Sequence, residues 1–441
     1  MRTRVALISE HASPVSLLGG SDAGGQNVYV DEISRHLANQ GYMIDVFTRR
    51  DSPTQPEVVN WAPGVRIIHL TAGPAACLPK DELWRYMPEF RAACLNFIAG
   101  YDVQYDVIHS NFWMSGWVAT ELRRVLHIPV VHIFHALGMT KRRHQGSTDT
   151  SPQERVAVEM QVVRDVDYVI TPCPNEEADL IEYYGAQPSQ LRMIPLAVNT
   201  EMFCPVERAE ARHHLGLAQE DFVLVYIGRI LPRKDIRNIV NALPELLKRC
   251  SQDEQTPAIQ LLVVGGASEV PDPQVTPEIA ALQQLAAEQG VSAHVRFVGN
   301  RQQDVLRYYY GASDVFITTP WYEAFGLTPL ESMACGRPVI GSAVGGILYS
   351  VVDGETGFLV PPQHPELLAE RLYDLLRHPE LRDQMGQAAR QRVLSEFTWP
   401  LVAARTAEVY AEALALRSPD IDILDTLWSE MLDAPSVGGG E

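Results

Sequence analysis

The stretch Phe222-Val223-Leu224-Val225-Tyr226-Ile227-Gly228-Arg229-Ile230-Leu231-Pro232-Arg233-Lys234-Asp235 decides the fold. Six apolar residues in a row outline a buried strand, a glycine ends it, and a basic loop follows. Its importance lies in position, because a strand and helix rhythm starts here for a second time. Further apolar runs follow at 260–264, 295–298, 315–318 and 338–340. Upstream, runs at 5–8, 44–47, 107–109, 130–134, 168–170 and 193–195, with an amphipathic stretch at 29–39, keep the same rhythm. A connection over 196–205, carrying Pro205, separates the two series. The pattern predicts two successive α/β sheets of Rossmann type facing each other across a cleft, with ligands outside the carboxyl ends of the strands.

Length and composition agree. A chain of 441 residues with 46% hydrophobic and 21% charged content exceeds what one core accommodates. The expected organisation is an acceptor domain over 1–200, a donor domain over 201–398, a helix over 399–417 returning to the first domain, and an acidic tail over 418–441. The tail's composition predicts disorder beyond Ala434, with a docking helix over 421–432 as the alternative. A net charge of −19 argues against nucleic acid as a partner. There is no signal-peptide pattern and no run long enough to span a membrane. Six scattered cysteines, none in a C-x-x-C pair, read as reduced thiols and a cytoplasmic location.

Three segments carry chemistry. Gly19-Gly20-Ser21-Asp22-Ala23-Gly24-Gly25-Gln26-Asn27 lies between the first strand and the first helix, where bare backbone N–H groups can approach a diphosphate. It matches neither the dinucleotide fingerprint nor the P-loop, and a flexible loop is the bland alternative. Arg229 and Lys234 leave the carboxyl end of the 222–227 strand together, suited to neutralise a phosphate leaving group. Glu323-Ala324-Phe325-Gly326-Leu327-Thr328-Pro329-Leu330-Glu331 follows the 315–318 strand, with Pro329 in the first turn of a helix. Eight residues of helix would set the two carboxylates about 12 Å apart, roughly the length of a sugar plus diphosphate. One carboxylate then suits sugar hydroxyls, the other a ribose, with helix N–H groups for the phosphates between them.

These segments, in this order and at this spacing, resemble the retaining family-four glycosyltransferases of GT-B fold over nearly the whole chain. With His109 and the His135-Ala136-Leu137-Gly138 stretch, the likeness is closest to the branch holding the mycothiol-pathway glycosyltransferase, exopolysaccharide glycosyltransferases and, more distantly, sucrose-phosphate synthases. The resemblance implies donor-diphosphate contacts from Gly24, Gly25, Arg229 and Lys234. It implies contacts to donor-sugar hydroxyls from Glu323, Phe325 and Gly326, and to ribose from Glu331. His135 would stand near the donor sugar's primary hydroxyl and anomeric centre. The catalytic set is then His135, Arg229, Lys234 and Glu323, with a nucleotide sugar (UDP-glucose first) as substrate, no cofactor and no metal. Asp165-Val166-Asp167 offers a manganese motif, but it reads better as a helix end entering a strand.

On the acceptor side Lys80 and Arg155 match the two cations of the inositol-phosphate branch, while Phe112 and Ala136 stand where that branch has hydroxyls. Two lost hydrogen bonds, each worth roughly 1 kcal/mol, point away from inositol phosphate. Asn111 replaces a second histidine beside His109; Trp117 reads as packing, and Trp113 is either a sugar platform or packing. The run Lys141-Arg142-Arg143-His144 is a candidate grip for an acceptor phosphate; a solvated loop and a weak contact with an anionic membrane surface are its alternatives. Carbohydrates, sugar phosphates and lipid-linked sugars are the acceptor classes left open. A nucleotide-sugar epimerase and a non-catalytic sugar-nucleotide sensor are the competing functions.

Overall fold

A computed structural model describes residues 2–14, 24–252 and 256–416. Residues 19–23 of the glycine-rich loop and the acidic tail lie outside the described residues. The first sheet comprises β1 (Arg4–Ile8), β2 (Met43–Arg49), β3 (Val58–Ala62), β4 (Val65–Leu70), β5 (Val107–Asn111), β6 (Val130–Ile133), β7 (Tyr168–Thr171) and β8 (Leu191–Met193). Their order is β3-β4-β2-β1-β5-β6-β7-β8, parallel except for β3. The second sheet comprises β9 (Phe222–Ile227), β10 (Ile259–Val264), β11 (Val295–Gly299), β12 (Val315–Thr318), β13 (Val339–Ser342) and β14 (Gly357–Val360), in the order β11-β10-β9-β12-β13-β14. That is the doubly wound Rossmann order, and the first sheet repeats it with one more strand at each edge. The strand order reverses at β1/β5 and at β9/β12, so the crevices for ligands open beside those pairs.

Eight helices frame the site: α1 (Gly25–Asn39), α2 (Trp113–Leu126), α3 (Gly138–Gln145), α4 (Arg155–Asp165), α5 (Pro174–Tyr184), α6 (Ile236–Cys250), α7 (Leu327–Ala334) and α8 (Trp399–Ala415). The central strands are buried on both faces, as continuous apolar runs require. Helix α8 packs against α1, β5 and β6 of the first sheet. The Tyr410 hydroxyl reaches His109 Nδ1 at 2.6 Å, 301 residues away in sequence. Val198 N–H donates to the Phe397 carbonyl at 3.0 Å where the chain crosses between sheets.

The sequence reading differs in places. The hairpin of β3 and β4, turning at Pro63-Gly64, and the edge strand β14 were not anticipated. The strand expected at 193–195 lies two residues earlier, because Pro195 has no N–H to give a ladder. Among the described residues no helix is long and apolar enough to cross a membrane. No cysteine is in a disulfide.

Candidate active site

The loops after β9 and β12 leave adjacent strands at the switch point of the second sheet, so Arg229, Lys234 and Glu323 are brought together by topology. Pro232 opens a single 3-10 turn over Pro232–Lys234, and Asp235, at φ +51°, reverses the chain into α6. Thr319 Oγ1 donates to the Asp235 carbonyl at 2.9 Å, and Trp321 N–H donates to that of Arg233 at 3.0 Å, which tie the two loops. Across this tie Lys234 Nζ forms an ion pair with Glu323 Oε2. Burial pushes the Glu323 carboxyl up, but Lys234, Arg233 and Arg229 outweigh it and hold it below its ordinary value. Burial lowers Lys234 against the pull of Glu323. The result is a largely buried ion pair that ties the two loops together.

The Glu323 loop has no room to move. A Cβ on Gly345, at φ +45°, would lie 1.7 Å from the Glu323 carbonyl, and one on Gly346 would lie 2.4 Å from Phe325 Cα. Phe325 anchors the loop in the core against Phe397, and Gly326, at φ +92°, starts α7. Only the last part of the Glu323-to-Glu331 stretch is therefore helical. Glu331 is 8% exposed, accepts a 2.6 Å hydrogen bond from the Tyr310 hydroxyl, and is raised by burial to about 7. It lines a small cleft with Val28, Asn199, Phe203, Gln303 and Leu327, residues drawn from both halves of the chain.

On the first-sheet side, α1 begins at the glycine loop as expected. Of the two amides assigned to the diphosphate, that of Gly24 already donates to Asn27 Oδ1 at 3.0 Å. Gly25 makes a close approach, since a Cβ there would meet Leu327 Cδ1 at 3.3 Å. His135 is half-buried at φ +60°, with Nε2 2.9 Å from Asn111 Oδ1 and its ring edge-on to Tyr29. Burial first, then His109 and His11, lower it to about 3, so the imidazole is neutral.

The acceptor candidates divide. Lys80 and Arg155 do converge, with Lys80 Nζ 5.7 Å and the Arg155 guanidinium 5.0 Å from the centroid of the Phe112 ring. Phe112 is buried at φ +78°, a region a bulky residue rarely enters and one that marks strained functional sites. His11, held by the buried Glu10 carboxylate at 2.7 Å, packs edge-on to the same ring at 5.0 Å. Neither His11 nor Glu10 carries a motif in the sequence, and both were missed. Arg155, however, is spent on Glu159 at 2.8 Å, the Ala136 carbonyl at 2.6 Å and Ser151 at 3.3 Å, which make it a brace for the His135 loop. His109 is fully buried against Tyr410, remote from any open surface.

The basic run does not gather as a phosphate grip. Lys141 pairs with Asp149 at 2.9 Å, and Arg142 donates to the carbonyls of Pro152 and Gln153 at 3.0 and 2.9 Å. The Arg143 guanidinium lies 3.8 Å from the Tyr183 ring centroid. His144 instead stacks on Tyr322 of the other domain. Asp165 ends α4, and Asp167 accepts from Arg123 and from the Val130 amide at the mouth of β7. Trp113 is buried against Trp84 and is packing; Trp117 contacts the same Trp84 ring.

Comparison with known proteins bears on this arrangement. Residues 23–202 match the family described as Glycosyltransferase Family 4, and residues 207–392 match Glycosyl transferases group 1. The chain is 36% identical over 414 residues to a D-inositol 3-phosphate glycosyltransferase of Corynebacterium efficiens, covering 93% of this chain and 95% of that one. It is 37% identical to the protein of that name in Kribbella flavida, covering 93% and 96%. Among solved structures, a sucrose-phosphate synthase from Thermosynechococcus elongatus superposes with a TM-score of 0.84 at 36% identity, over 94% of this chain and 100% of that one.

Proposed function

The chain belongs to glycosyltransferase family 4 and has the GT-B fold, and from that premise we propose that it moves a hexose from UDP-glucose to a hydroxyl acceptor with retention of configuration. The supporting observation is the largely buried Lys234–Glu323 ion pair at the switch point of the second sheet. In this reading Arg229 and Lys234 meet the charge that develops on the leaving diphosphate, worth most where water is excluded. Glu323 and the amides of Phe325 and Gly326 hold the hexose, and Glu331 holds the ribose. The neutral His135 accepts one hydrogen bond from a hexose hydroxyl. The acceptor attacks from the face the diphosphate leaves, and the departing phosphate oxygen takes the acceptor's proton.

A sugar phosphate is the acceptor class favoured by a specific observation, the meeting of Lys80 and His11 at the Phe112 ring. The solved relative at 36% identity is itself a sucrose-phosphate synthase. The apolar faces of Phe112 and Ala136 weigh against inositol phosphate, although relatives carry that name. A role in polysaccharide or glycoconjugate synthesis, with a lipid-linked acceptor, stays as the other outcome of the test.

The test is incubation with UDP-glucose and a panel of sugar phosphates, free sugars and lipid-linked sugars. UDP release and the anomeric configuration of the product are read by NMR. Transfer with an α-linked product is expected. A new nucleotide sugar formed without free UDP would make the protein an epimerase, and a β-linked product would end the retaining assignment.

A further inference from the structure

Three elements of the first domain touch the donor loop of the second at three successive points. Gly25 of α1 closes on Leu327, Cys173 at the start of α5 contacts the Ala324 carbonyl at 3.6 Å, and the end of α3 meets Tyr322. Of these three, the last joins two side chains and can be removed from either side. Gln145 Nε2 donates to the Tyr322 hydroxyl at 2.6 Å, and the His144 ring stacks on the Tyr322 ring at 4.9 Å and 19°. From its own domain, Arg233 lies over that ring at 5.4 Å. Tyr322, the residue before Glu323, thus also touches Arg233, the residue before Lys234.

The arm that reaches it is rigid. Helix α3 begins directly after His135-Ala136-Leu137 and is fastened to the first domain along its length. Gly138 N–H donates to Glu159 at 3.0 Å, Met139 N–H to the Tyr184 hydroxyl at 2.8 Å, and Thr140 Oγ1 to Asp179 at 2.9 Å. Lys141 and Arg142 fasten the next turn through Asp149 and the 152–153 carbonyls. The basic run therefore mounts a helix whose tip projects across the cleft. One short element carries His135 at its root and Tyr322's partners at its tip.

We infer that Tyr322 is a positioning residue, a clasp by which α3 aligns the His135 loop with the Lys234–Glu323 pair across the cleft. The inference rests on the transferase reading above for its kinetic arm, and on geometry alone for its structural arm. A hydrogen bond that spans the cleft and touches no part of the nucleotide acts by aligning the two sides of the site, so its loss appears in kcat.

The test uses Tyr322→Phe, Gln145→Ala and the double variant of the full chain. UDP affinity is measured by calorimetry, UDP-glucose turnover by UDP release, and the radius of gyration by solution scattering. Each single variant is expected to lose about fivefold to tenfold in kcat, the scale of one hydrogen bond, with UDP affinity within about twofold of wild type. The double variant is expected to be no slower than the slower single one, because both remove the same bond. Both single variants are expected to scatter as larger particles than wild type. Losses that multiply in the double variant, or UDP affinity falling in step with kcat, would overturn the clasp. If wild type neither bound UDP nor turned over UDP-glucose, the donor assignment would fail, and the clasp would then stand or fall on whether the variants enlarge the particle.

Discussion

Replacing Glu331 by Gln is expected to change how stability depends on pH. The carboxyl sits 8% exposed on α7 and burial raises it from 4.5 to about 7. In the unfolded chain it ionises near its ordinary value. Between those two values the unfolded chain gives up a proton that the folded protein keeps, so stability falls as pH rises through the window and levels off above it. At about 1.4 kcal/mol per pH unit, the ionised carboxylate costs the fold ~3 kcal/mol once the window is crossed. An amide cannot ionise, and its oxygen still accepts from Tyr310. Urea titrations of both proteins at about pH 5 and about pH 8 isolate this group, because every other titrating residue cancels in the difference. The variant's advantage over wild type is expected to be ~2–3 kcal/mol larger at the higher pH than at the lower. Equal differences at both would refute the argument. Added UDP separates function from stability. If Glu331 binds ribose, UDP stabilises wild type and does little for the variant.

Three further outcomes follow from the same geometry. Lys234→Ala is expected to reduce UDP-glucose turnover by ~100-fold or more, measured as UDP release from protein with native circular dichroism, since it removes a fixed cation from a desolvated site. Gly346→Ala is expected to cost ~2 kcal/mol or more in a thermal melt and to abolish UDP binding, because its Cβ would meet the Phe325 backbone, which cannot swing aside. Tyr410→Phe is expected to cost ~1–2 kcal/mol in a denaturant titration while turnover stays within about twofold, as it leaves His109 Nδ1 without its hydroxyl partner in the interior.

The two parallel sheets were legible because strands buried on both faces must be continuously apolar, as Phe222 to Ile227 are. The β3–β4 hairpin was not, because an edge strand such as 58–62 is half exposed and mixes Asn60 and Trp61 into its apolar pattern. The nearness of the Lys234 and Glu323 loops was legible for a related reason. Loops that follow neighbouring strands of a doubly wound sheet end up side by side, so Lys234 and Glu323 meet although 89 residues separate them. Partners supplied by distant elements leave no such trace. Nothing near His109 announces Tyr410, and nothing in Lys141-Arg142-Arg143 announces that Asp149 and two carbonyls will consume it. A basic run reports charge, and only the fold decides whether that charge faces a ligand or fastens a helix.

His135 shows how such a distant partner fixes chemistry. Asn111 donates through Nδ2 to the Ile8 carbonyl at 3.3 Å, which turns its Oδ1 toward His135. An amide oxygen can only accept, so the proton of the neutral imidazole sits on Nε2 and the lone pair is left on Nδ1. A second histidine at position 111 would leave that choice open, because either ring can donate. Asn111 therefore settles it. Held at φ +60°, with its charge suppressed by burial, His135 offers a hydrogen-bond acceptor and no cation. That suits a sugar hydroxyl and not a phosphate, in keeping with the proposed division in which Arg229 and Lys234 meet the diphosphate and His135 adds one contact to the hexose.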